Sequence, residues 1–199
     1  MKNVKSRILI TVAVSFLLAA VSINCLRKVN VPNTNSMSAK DRVEMAMRLK
    51  DAKVELSENE VAFVETNKGK FKFKLYSAES PKTVRNFIRL ADAGFYNGLT
   101  WHRYVSNFVI QGGDPLGNGT GNAGYNIDFE PNTMTHELGA VGMARGPSLN
   151  SGSCQFYICL APQPTLDGNY VVFGIVTEGM DVVQKLRAGD TIKSITIKR

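Results

Sequence analysis

Nucleophiles and metal ligands are sparse in this 199-residue chain, which has three cysteines and two histidines. Cys154 and Cys159 are five residues apart on strand-like sequence, which places them ~16 Å from each other on opposite faces. A disulfide spans Cα separations only up to about 7 Å, so the two cannot pair and read as small buried apolar residues. No G-x-S-x-G elbow occurs, and neither His102 nor His136 has a serine or cysteine at a hydrolase spacing. Gly119-Thr120-Gly121-Asn122-Ala123-Gly124 matches G-x-G-x-x-G, but Asn126-Ile127-Asp128-Phe129-Glu130-Pro131 follows it where a dinucleotide site needs a helix N-terminus. No metal and no cofactor is therefore expected. What remains are groups that bind. Arg103, Phe108 and Gln111 are interleaved on one run that Gly112 and Gly113 terminate, and Met143-Ala144-Arg145, Asn150-Ser151, Gln155-Phe156-Tyr157 and Leu166 to Gly174 follow in order. Singly, Arg103 reads as a surface salt-bridge partner, Phe108 and Leu166 as core, and Gln111 and Gln155 as sheet polar residues. Their joint order carries the information.

The elements that must position these groups are mostly strands. Val61 and Phe63, then Phe71, Phe73 and Leu75, alternate with polar neighbours around an Asn67-Lys68-Gly69 turn. Lys70, Lys72 and Lys74 form the solvated face of the second strand. Pro81 opens a helix with Val84, Phe87, Ile88 and Ala91 on one stripe, and Gly94 suits its C′ position. Short strands separated by glycine-rich loops come next, then a helix over 179–186 and a last strand bearing Ile195 and Ile197. Many short strands with two helices predict a mainly β fold, a closed antiparallel barrel. Ahead of it, Ser38 caps a spacer helix reaching about Lys53, with Val43, Ala46 and Met47 on one side.

The amino terminus reads as an address or an anchor. Ile8 to Leu26 contains no charge, and its 19 positions would make a hydrophobic helix of about 28 Å, close to a bilayer's hydrocarbon thickness. Lys2, Lys5 and Arg7 precede it, as in a secretory signal or an N-in anchor. Ala20-Val21-Ser22 offers a cleavage site, and Cys25 a lipidation site, although Ser22-Ile23-Asn24 departs from the usual Leu-small-small residues before a lipoprotein cysteine. Each outcome places the rest of the chain outside the cytoplasm: membrane-associated, periplasmic or secreted. The expected organisation is a signal peptide or anchor over 1–26, a linker and spacer helix over 27–59, and one domain over 60–199. The formal charge is +7, of which residues 1–28 carry +5 and residues 61–199 +3, with −1 between. The excess is thus largely an orientation signal, and a nucleic-acid partner is not expected.

From Val61 to Ile197 the ordered motifs resemble the cyclophilin family of peptidyl-prolyl cis–trans isomerases, and the spacing from Met143 to Gln155 is similar to its bacterial-type members. The resemblance implies a closed eight-stranded antiparallel barrel capped by two helices, with a peptide groove on its outside. It further implies proline-containing segments of unfolded or newly exported proteins as partners, no cofactor, and a monomeric domain. Arg103 is implied as the catalytic hydrogen-bond donor. Phe108, Val109, Tyr157 and Leu166 would hold the proline ring, with His102 lining the pocket. Gln111, Gln155 and the backbone at Ala144 and Arg145 would hold the peptide, and Tyr170 would sit at the rim. The alternative is an extracytoplasmic peptide-binding module or holdase chaperone with incidental isomerase activity.

Four positions depart from the family pattern. Thr165 stands where animal members have a tryptophan that contacts cyclosporin, so weak cyclosporin sensitivity is expected. Tyr157 replaces a phenylalanine, placing a hydroxyl near the pocket floor, and Tyr170 replaces a common histidine. Ser153-Cys154 replaces a usual Gly-Ser pair.

Overall fold

The structure is a computed structural model, and it describes residues 36–199. The apolar segment and Cys25 lie outside the described residues. Among the described residues no helix is long and apolar enough to cross a membrane. In chain order the elements are α1 (Ala39–Leu49), β1 (Val61–Thr66), β2 (Gly69–Leu75), α2 (Pro81–Asp92), β3 (Trp101–Val105), β4 (Val109–Gly112), β5 (Ala140–Met143), β6 (Phe156–Cys159), β7 (Val172–Glu178), α3 (Met180–Lys185) and β8 (Ile192–Lys198).

All eight strands join one antiparallel sheet in the order β3-β4-β6-β5-β7-β2-β1-β8. The expected closure is not made. β3 and β8 end the order, and the ladder is a curled half-barrel whose edges meet at one isolated bridge, Thr100 to Thr191. Backbone bonds from Gly98 N to Ile192 O (2.7 Å), Ile192 N to Leu99 O (2.8 Å), Trp101 N to Asp190 O (2.8 Å) and Gly189 N to Trp101 O (2.9 Å) stitch that end of the seam.

The central strands are buried on both faces, so alternation divides their side chains between two apolar clusters. Ile110, Val141, Met143, Phe156, Ile158 and Phe173 join the main core inside the curl. There Phe87 stacks on Tyr96 at 5.2 Å between ring centres and meets Phe156 edge-on at 5.5 Å. Their neighbours Val109, Ala140, Tyr157, Cys159 and Val172 point the other way into a second cluster, on which Phe108, Ala144, Leu166 and Tyr170 pack.

The helices start where their sequence signals put them, although α1 ends at Leu49 rather than reaching about Lys53. Pro81 sits at the first position of α2, whose free N-terminal N–H groups at Lys82 and Thr83 donate to the Glu130 carboxylate, each at 3.0 Å. Gly94 follows α2 with φ +70°. Ser38 caps α1, accepting from Asp41 N at 3.2 Å. The residue α1 buries is less expected: Arg42 donates to the carbonyls of Phe95 (2.6 Å) and Asn97 (2.7 Å), which fastens the helix to the domain beside α2. Burial lowers the guanidinium pKa.

Candidate functional site

A groove of about 240 Å³ lies on the outward cluster. Its floor comes from the period-two alternation of β4 and β6, which turns Val109, Gln111 and Tyr157 to one side. Phe108 reaches it from the β3–β4 turn, where Asn107 takes the left-handed conformation at φ +56° and Gln163 Nε2 donates to Asn107 O at 2.8 Å. Leu166 arrives on a 3-10 turn, Pro164–Leu166, and Tyr170 closes the rim. Arg103 on β3, with Ala144 and Arg145 just after β5, completes the wall. Nine of the eleven residues singled out from sequence thus share one groove. Gln155 joins it indirectly. His102 does not line it, because a register shift between Trp101 and Arg103 turns β3 locally and leaves the imidazole half-buried beside Gly119.

The polar groups form a chain. Arg103 Nη1 donates to Gln111 Oε1 at 3.3 Å, and Gln111 Nε2 donates to Gln155 Oε1 at 2.8 Å. Gln155 Nε2 then donates to the carbonyls of Gly119 (3.0 Å) and Gly121 (2.8 Å). Each amide is oriented by the next, so the glycine loop indirectly orients the group beside Arg103. Arg103 also lies over the Phe108 ring at 5.5 Å. Arg145 stacks on Tyr170 at 4.6 Å, and its Nη2 donates to Asn169 O at 2.8 Å, which holds it flat against the rim.

Past Gln111, Ala144 and Arg145 the groove opens into a polar hollow of about 370 Å³, walled by Gly119 to Asn122 and by Ser153. Two buried side chains build that wall. The Asp114 carboxylate accepts from the backbone N–H groups of Leu116 (2.8 Å), Asn118 (3.0 Å) and Gly119, folding the loop around itself. Ser153 Oγ accepts from Ala123 N at 3.0 Å and donates to Tyr125 O at 2.6 Å. The serine that departs from the family pattern therefore pins the opposite strand of the loop. G-x-G-x-x-G here is a hollow wall rather than a phosphate cradle.

Sequence reasoning missed the groove's lower layer. His136 is 2% exposed, with Nε2 2.9 Å from the Tyr157 hydroxyl and Nδ1 2.7 Å from Asp167 Oδ1. The same carboxylate oxygen accepts from His136 N at 2.8 Å, and these His136 contacts hold the Asp167 pKa below the usual carboxylate value. An ionised carboxylate only accepts, which puts the imidazole proton on Nδ1 and makes Nε2 the acceptor for the Tyr157 O–H. Burial pushes the Tyr157 phenol pKa up, so the hydroxyl stays protonated. The available signal was Tyr157 itself, a buried hydroxyl in need of a partner.

Cys154 and Cys159 are buried free thiols, each with its pKa pushed up to about 12 by burial. Neither is a nucleophile at neutral pH. Among the described residues no three His, Cys, Asp or Glu side chains converge to hold a metal ion.

Comparison with known proteins bears on the family. The family model described as cyclophilin type peptidyl-prolyl cis-trans isomerase/CLD matches residues 61–199. A Helicobacter pylori peptidyl-prolyl cis-trans isomerase is 41% identical over 145 residues, covering 71% of this chain and 88% of its own. Peptidyl-prolyl cis-trans isomerase B of Bacillus subtilis is 45% identical over 131 residues, 65% of this chain and 91% of that one. Among solved structures, a Cryptosporidium parvum cyclophilin-type isomerase superposes with a TM-score of 0.67 at 29% identity, covering 71% of this chain and 98% of that one. The same isomerase in the presence of the dipeptide Ala-Pro gives a TM-score of 0.65, covering 70% of this chain and 99% of that one.

Proposed function

The chain belongs to the cyclophilin family of peptidyl-prolyl cis–trans isomerases, and from that premise we propose that its groove turns X–Pro bonds of unfolded or newly exported proteins outside the cytoplasm. The enzyme is an isomerase. The proposal concerns its substrate, its residue roles and its place of work.

Rotation about an amide has a barrier of ~18–20 kcal/mol because the C–N bond loses resonance. For X–Pro the two ground states differ by only about 0.5–1 kcal/mol, yet exchange takes tens to hundreds of seconds. Reaching milliseconds requires the barrier to fall by about 7 kcal/mol. No bond breaks, so the fall must come from binding the twisted amide more tightly than either planar form. In the twisted state the proline nitrogen regains a lone pair and accepts a hydrogen bond. Arg103 would donate it, with charge assistance, from the groove wall. Phe108, Val109, Tyr157 and Leu166 would hold the ring, so that rotation moves the chain on the other side of the bond. Gln111 and the backbone at Ala144 would keep that chain extended.

The observation that carries this reading is a guanidinium beside an aromatic and aliphatic pocket, with no nucleophile in the groove. The similar Cryptosporidium parvum isomerase, solved in the presence of the dipeptide Ala-Pro, supports proline-containing ligands for this groove. For the location, support comes from the uncharged run Ile8 to Leu26 behind Lys2, Lys5 and Arg7. Arg103→Ala should lower kcat/KM on an Ala-Pro tetrapeptide at least tenfold with unchanged circular dichroism; undiminished turnover would overturn the role of Arg103. The mass of the mature protein tests the location. Loss of about 22 residues means cleavage, loss of 24 with added acyl mass means lipidation at Cys25, and an intact chain means a retained anchor.

A further inference from the structure

We propose that the Arg145 guanidinium makes the isomerase selective for acidic peptides, by pairing with an aspartate or glutamate close to the proline that occupies the groove. The inference deepens the isomerase reading and rests on it.

Arg145 lines both the proline groove and the polar hollow beside it. Together those two surfaces carry two guanidinium groups, Arg103 and Arg145, and no carboxylate. Their other polar lining is neutral: amides, hydroxyls and backbone. None of the ion pairs among the described residues includes either arginine. The acids of the surrounding elements are committed elsewhere. Asp114 accepts from three backbone N–H groups inside the glycine loop, and Asp167 is held by His136. Asp128, across a small cleft from Arg145, pairs with Lys82 at 3.7 Å. A carboxylate entering the groove therefore meets two cations and no like charge on its walls.

The bonds that hold Arg145 fix its position without cancelling its charge. Nε and Nη2 donate to Asn169 O at 3.0 and 2.8 Å, and Nη1 donates to Gly146 O at 2.9 Å. The guanidinium lies over the Tyr170 ring at 4.6 Å. Every one of these partners is neutral. A guanidinium has five N–H groups, and the second one on Nη2 is not used in these bonds, so a carboxylate would give it a charge-assisted partner. The side chain is half-buried and already ordered, so pairing with substrate has a low entropy cost on the protein side. The role is separate from that of Arg103. Arg103 would act on the twisted bond whatever the flanking sequence, whereas Arg145 would rank substrates by their charge.

The test uses the full chain with peptides that carry one proline, in which a glutamate steps residue by residue along each side. Glutamine replaces it in the controls. The readout is KM for the glutamine peptide divided by KM for the glutamate peptide, so a general loss of catalysis cancels. At low salt a window of positions beside the proline should give a ratio of about fivefold, the size of a partly exposed ion pair. High salt should bring the ratio toward one, and so should Arg145→Gln. Lysine in the same window should raise KM above the glutamine control, a readout that stands even if Arg145→Gln fails to fold. A ratio of one at every position, a ratio that survives Arg145→Gln, or a lysine peptide with a KM as low as the glutamate one overturns the inference. Absent turnover of an Ala-Pro tetrapeptide by the unaltered chain would instead sink the isomerase reading.

Discussion

The hydroxyl of Tyr157 donates to Nε2 of His136 across 2.9 Å, beneath the groove, and Asp167 fixes the other face of the imidazole at 2.7 Å. The floor of an apolar pocket needs only an apolar surface, so the hydroxyl adds nothing to that surface directly. It adds orientation: the Tyr157 ring, at 16° to the imidazole plane, is held by a bond at its far end as well as by packing.

Tyr157→Phe should therefore destabilise the fold by about 1–3 kcal/mol, the usual cost of leaving a buried polar partner unpaired. His136→Leu should destabilise it as well, and the double variant by clearly less than the sum, since both partners then go together. Urea denaturation of the four proteins measures the coupling. Additive costs would mean that the bond carries no energy of its own.

Gly142 is the other condition for that ring. It pairs with Tyr157 across β5 and β6, and a Cβ there would collide with the phenol. Gly142→Ala should cost about 1–3 kcal/mol from overpacking and raise KM for a proline peptide severalfold, because the pocket floor must shift. Calorimetry with steady-state kinetics would check both, and unchanged KM with lowered stability would confine the effect to folding.

His102 gives a pH dependence. Burial draws its pKa below the ordinary 6.5, with Asp114 pulling the other way and Arg103 adding to the fall. The unfolded chain then binds the proton more readily than the folded one. Its contribution to stability is intact above pH 6.5 and is lost as the pH falls through the folded value. Melting temperature should decline from pH 7.5 to 5, and His102→Gln should flatten part of that decline. An equal slope in the variant would assign the decline to other groups.

Thr165 is exposed on the 3-10 turn next to Leu166. Cyclosporin should inhibit weakly, and Thr165→Trp should tighten inhibition at least tenfold by adding apolar area at the rim. Nanomolar inhibition of the unaltered enzyme in a peptide assay would refute this.

Local patterns were legible in sequence, and distant pairings were not. Alternation in β2 and β8, Pro81 before α2 and Ser38 before α1 each act within a few residues, and the chain shows them directly. β1 corrects the expectation: its buried face is Ala62, Val64 and Thr66, and Val61 and Phe63 lie on the half-exposed side. The open seam depends on whether β3 and β8, some ninety positions apart, run alongside each other, which neither strand's composition records. His136 was missed for the same reason: Tyr157 and Asp167 lie 21 and 31 residues away. Arg42 reads as one more solvated charge on a mixed helix until the carbonyls of Phe95 and Asn97 are beside it. The groove was the easiest part to find, because Arg103, Phe108, Gln111, Tyr157 and Leu166 keep their order and spacing along the chain.

The half-barrel has one more consequence. Arg103 stands on β3, an edge strand whose ladder partner is β4. The seam is sewn from Gly98 to Trp101 and ends there, so Arg103 stands just past its last stitch. Past that point β3 is held by β4, by Arg187 over the Tyr104 ring at 4.5 Å and by Gln163 at the Asn107 carbonyl, with no second ladder. Amide exchange along β3 should therefore be graded, slowest at Trp101 and fastest toward Val105. Compliance at Arg103 would then be a property of where the sheet stops.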